Sequence, residues 1–139
     1  MIERHPDWKF RLHQYFRDKF DYKFAWGSND CLQFVFGAEK AINKDSRFSD
    51  VILEYSTEQQ ARALMDNWGM DDMPDIMDER LERIDANYLE FGDVGLVQYR
   101  GKRVSKNVLS ICTGRKFAHP WRTGLGFTDR ELIGYGWRL

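Results

Sequence analysis

The chain has 139 residues, which suits one domain spanning 1–139 and hardly two. Apolar residues make up 42%, with 10 Phe, 6 Tyr and 5 Trp, so one packed core is expected and disorder is not. A net charge of −1 argues against nucleic acid as the main partner, because phosphate binding needs a concentrated basic surface.

No apolar stretch opens the chain. Glu3, Arg4, Asp7, Lys9, Arg11, Arg17, Asp18 and Lys19 interrupt the first 20 residues, so no signal peptide is read and synthesis and folding in a cytoplasm are expected. No segment approaches the roughly 20 apolar residues of a membrane span. Trp8, Leu12, Tyr15, Phe16 and Phe20 recur at helical spacing behind Pro6 and predict a first helix. Ser28-Asn29-Asp30 supplies caps for a second, whose apolar stripe is Cys31, Phe34, Val35, Ala38 and Ile42, with Asn43 at its end. A third helix opens at Thr57 with Gln60 three residues on; Ala61, Leu64, Met65 and Trp68 form its apolar face and Gly69 stops it. The acidic, Met-rich stretch 70–90 predicts a short helix near 75–84.

The second half changes character. Val94–Tyr99 reads as a strand after the turn at Gly92-Asp93, and Val108–Thr113 as a second. Gly114-Arg115 turns the chain into Lys116–His119, Gly124 and Gly126 punctuate another strand, and Ile133–Leu139 closes the series. Arg100, Lys102, Arg103 and Lys106 read as a solvated hairpin tip. Helices followed by an antiparallel meander predict an α+β domain, with N-terminal helices packed on a C-terminal sheet.

The chemistry-bearing residues are few. Cys31 and Cys112 do not make a disulfide framework, and His5, His13 and His119 are too scattered to complete a zinc site. Asp71, Asp72, Asp75, Asp78, Glu79 and Glu82 lack calcium-loop spacing and read as a solvated acidic face. No metal or cofactor is expected. Cys112 is expected to be packed, in the same layer as Cys31. Trp8, Trp68 and Trp137 read as core, whereas Trp26 and Trp121, if exposed, could anchor a partner. Cys31 carries the sharpest alternatives. A thiol at a helix N-terminus faces unpaired N–H groups and the positive end of the macrodipole, which favour the nucleophilic thiolate. The same N–H groups could stabilise an oxyanion. Cys31 also lies on the apolar stripe, and a free cysteine is among the most commonly buried residues.

Trp26-Gly27-Ser28-Asn29-Asp30-Cys31, Gly92-Asp93-Val94 entering a strand, and the closing Tyr135-Gly136-Trp137-Arg138-Leu139 together resemble the NlpC-type, papain-like cell-wall endopeptidases. The resemblance is closer to the divergent branch encoded among tail genes of tailed bacteriophages, and runs from about Phe20 to the C-terminus. It implies a cysteine nucleophile on a helix, a histidine at the start of the second strand and a third polar residue on the next strand, hydrolysing peptidoglycan stem peptides. Carried over, the nucleophile falls on Cys31, the histidine position on Asn107 and the third position on His119. A tyrosine that assists the oxyanion in relatives falls on Phe24, and the usual Ser-Gly after the cysteine is Leu32-Gln33. Asparagine cannot take a proton at neutral pH, and a general base contributes roughly 10²–10⁴-fold. Activity would therefore need His119 to serve Cys31 directly, with Asn107 orienting it.

Three functions follow as expectations. The first is a phage tail-tip or baseplate protein of the virion, partnered by other tail proteins, whose peptidase chemistry has weakened or gone. The second is an active cysteine peptidase acting on peptidoglycan during phage entry. The third is a bacterial amidase-like or stress protein of the same fold.

Overall fold

The computed structural model describes residues 3–49, 51, 54–67, 73–100 and 105–139. Among these residues four α-helices precede the sheet: α1 (Trp8–Lys19), α2 (Cys31–Ile42), α3 (Glu58–Asn67) and α4 (Met73–Asp78). Six strands follow: β1 (Arg83–Asp85), β2 (Val94–Arg100), β3 (Ser105–Cys112), β4 (Lys116–Trp121), β5 (Gly124–Asp129) and β6 (Ile133–Trp137). They form one antiparallel sheet in the order β1-β6-β2-β3-β4-β5. The expected α+β class is therefore the observed one. Among the described residues no helix is long and apolar enough to cross a membrane.

The second helix forms as its pattern dictates. Asp30 caps it by accepting the Gln33 N–H, and the stripe Cys31, Phe34, Val35, Ala38 and Ile42 is buried throughout. That stripe packs on one face of the sheet, against Val94, Leu96, Leu109, Ile111, Ala118 and Trp137, with Ile76, Met77 and Leu81 closing the side. α1 crosses α2 closely: the Tyr15 hydroxyl donates to the Phe34 carbonyl at 2.7 Å. In α3, Thr57 Oγ1 accepts the Gln60 N–H while Gln60 reaches back to the Ser56 N–H, one residue beyond the usual capping box. Ala61, Leu64 and Met65 are half-buried, and Trp68 and Gly69 lie outside the described residues, as do Asp71 and Asp72.

The sheet's other face has its own smaller core of Leu89, Val97, Cys112, Phe117 and Ile133. Strand alternation separates the two layers: Leu109 and Ile111 face α2, whereas Ser110 and Cys112 face away. Cys112 is packed, as expected, but not in the layer of Cys31; the period of two puts it on the opposite side.

Three further expectations change. The helix read near 75–84 is the shorter Met73–Asp78, because Asp78 accepts from the Arg83 guanidinium and the Trp137 indole, and Arg83–Asp85 then pairs with β6 as an extra strand. Phe20, read as part of the α1 stripe, is the C-cap and 57% exposed. The last strand ends at Trp137 rather than Leu139, since Arg138 turns to the buried Asp93. Gly136 lets β6 lie against β2: a Cβ there would stand 1.9 Å from the Val94 carbonyl oxygen. The side chains of Arg100, Lys102, Arg103 and Lys106 lie outside the described residues.

Candidate functional site

The loop before α2 is held by Asp30. Its carboxylate accepts from the N–H groups of Gly27 and Gln33, both at 2.9 Å, and from the Tyr55 hydroxyl at 2.6 Å. Gly27 has φ +81°, and a Cβ there would fall 1.8 Å from the Tyr55 carbonyl oxygen, so the turn and the 55 segment close on each other only with glycine. Asn29 donates to the carbonyls of Tyr22 and Lys23 and fastens the other side of the loop. Trp26 stands edge-on to Phe24 and is 39% exposed.

Cys31 occupies the first turn of α2 and is 8% exposed, with its sulfur 3.4 Å from the Met73 thioether. Burial pushes the thiol up to about 12; hydrogen bonding from the Leu109 backbone opposes this, and the Asp30 charge reinforces it. The helix N-terminus does not yield a thiolate chiefly because the sulfur is buried, and a carboxylate adds to the effect. Asp30 takes the Gln33 N–H and places a negative charge beside the sulfur. At neutral pH Cys31 is a protonated, packed thiol.

His119 is 2% exposed and lies elsewhere. On β4, Ala118 belongs to the core under α2 and Phe117 to the opposite one, so alternation carries His119 to the face away from Cys31. Its neighbours agree: Nε2 is 2.8 Å from Thr128 Oγ1, Nδ1 is 3.2 Å from the Pro120 carbonyl, and the ring meets Trp121 edge-on. A carbonyl only accepts, so Nδ1 carries the proton and Nε2 accepts from Thr128. Burial lowers its basicity, partly offset by the Pro120 carbonyl. Both nitrogens are engaged, and the sheet stands between this imidazole and the sulfur.

Asn107 is the other residue read for this site. It pairs with Gln98 across β2 and β3 and shares the helix-facing side with Leu109, two residues from the backbone that bonds Cys31. The structure thus brings Cys31 and the Asn107 end of β3 to one face and sends His119 to the other. The expectation that His119 serves Cys31 directly fails on strand alternation.

Sequence reading missed Tyr55 and Met73, the groups that hold and cover this corner. Tyr55 meets Asp30 across 25 positions, and Met73 meets Cys31 across 42, so no local spacing could have announced them. Burial and its bond to Asp30 both raise the Tyr55 phenol, which stays protonated. Of the acidic series, Asp78 is held below the usual carboxylate range, chiefly by Arg83. Among the described residues no three His, Cys, Asp or Glu side chains converge as a metal site.

A family model described as a domain of unknown function, DUF6950, matches residues 3–139. The chain belongs to that family, which takes in nearly its whole length. No curated protein matches it.

Proposed function

We propose that this protein is a non-catalytic, papain-like domain of the NlpC type, serving as a structural or assembly component of a phage tail tip or baseplate. The observation that carries the reading is the helix-borne Cys31 against β3, with Asn107 rather than a base on the shared face. A nucleophile position without a proton acceptor keeps the architecture of a hydrolase and loses its chemistry. The motif resemblance across Trp26–Cys31, Gly92–Val94 and Tyr135–Leu139 supports the fold assignment. The exposed aromatics Trp26 and Trp121, 39% and 41% exposed, suit assembly contacts.

The test is mass spectrometry on purified particles from a host strain producing the phage that encodes the chain. The protein is expected in the tail fraction in fixed ratio to other tail proteins. Its absence from mature particles, or a gene far from any tail cluster, overturns the assignment.

A further inference from the structure

A groove of about 610 Å³ runs between α1 and β5, and its walls include Phe10, His13, Arg17, Phe20, Leu125 and Phe127. Phe10 is 69% exposed, Phe20 57% and Phe127 48%. Three exposed aromatic rings thus gather around one concave surface.

One wall of this groove is a strand edge. β5 is last in the sheet and, among the described residues, pairs only with β4. The Leu125 N–H points outward and donates to the Phe20 carbonyl at 2.9 Å. In an antiparallel ladder outward groups recur every second residue, so the next outward N–H and C=O belong to Phe127. They offer main-chain pairing beside the exposed ring of the same residue.

Of the basic groups on α1, Arg17 lines the groove, whereas Lys9, Arg11 and Lys19 do not. Asp7 is taken by Arg11 and Asp18 accepts from Gln14, while Arg17 has no carboxylate partner among the described residues. Asp21 is the acidic group in the lining.

We propose that this groove binds an extended peptide segment of a partner protein. The segment would add as a short strand on β5 at Phe127, set a large apolar side chain among Phe10, Phe20 and Phe127, and place a carboxylate on Arg17. This proposal stands on the groove alone and is independent of whether the Cys31 corner has chemistry.

The test is selection of a random dodecapeptide library on the intact protein, followed by synthesis of enriched peptides and measurement of their affinity. Enriched sequences should share an aromatic or branched apolar residue and a nearby Asp or Glu. Arg17→Glu and Phe127→Asp should each weaken a selected peptide by about tenfold or more. An N-methyl group on the peptide backbone opposite Phe127 should weaken it similarly. Both residues are surface groups, and Phe10→Ser, on the most exposed ring, replaces either variant that fails to fold. Failure to enrich any peptide, or peptides retained in full by the variants, overturns the proposal. So does dimerisation lost in Phe127→Asp, which would give the groove to a second copy of this chain.

Discussion

Cys31 is governed by burial and by its neighbour Asp30, and both push it the same way. Between the usual thiol value of about 8.5 and about 12, the folded chain keeps a proton that the unfolded chain releases. Stability from this group is present below the lower value and lost as pH rises through the upper one, by at most about 1.4 kcal/mol per pH unit. Urea midpoints compared between wild type and Cys31→Ala from pH 7 to 11 should show the extra slope only in wild type. Iodoacetamide at pH 7.5 should leave Cys31 unmodified in the native protein and label it in urea. His119 has the opposite sign. Its basicity is lowered, so protonation favours the unfolded chain, and stability is lost as pH falls below about 6.5. His119→Gln should flatten the denaturation midpoint between pH 6.5 and 5. The sequence placed the thiol at its helix terminus correctly, since a cap and a stripe are local signals. It could not place the imidazole, because which side of β4 His119 takes depends on register against β3.

At the scale of elements, the joint between the 24–30 loop, the 55 segment and α2 rests on one carboxylate with three donors. Asp30→Ala removes a cap and leaves the Gly27 N–H and Tyr55 hydroxyl unpaired, so a loss of about 2–4 kcal/mol is expected in chemical denaturation. The α1–α2 contact is tested at Gly37, where a Cβ would stand 2.4 Å from the Tyr15 hydroxyl. Gly37→Ala would gain about 1 kcal/mol of helix propensity, but the buried ring must move and its bond to Phe34 is lost. A net loss of about 1–2 kcal/mol is expected, partly relieved when combined with Tyr15→Phe. The elements with strong local patterns, α1, α2 and β2 to β6, were legible in the sequence to within a few residues. β1 was not: it is three residues long, and only the pairing with β6 and the grip of Asp78 on Arg83 make it a strand. Phe20 misled in the same way, because helical spacing assigns a face and cannot say that the helix has already ended.

For the whole molecule, one sheet separates two cores, and that separation divides the residues a cysteine peptidase would need together. Among the described residues no histidine of the sheet shares the face of the protonated Cys31 thiol, and on the reading proposed above hydrolysis then lacks its first proton transfer. The exposed aromatic groove at the β5 edge lies on the helix side, with Leu125 and Phe127, and is the surface proposed above for an extended peptide segment. The most direct measurement is release of soluble stem peptides from purified peptidoglycan by the wild-type protein and by Cys31→Ala. Equal absence of fragments from both is predicted, and fragments from wild type that vanish in Cys31→Ala would contradict the account.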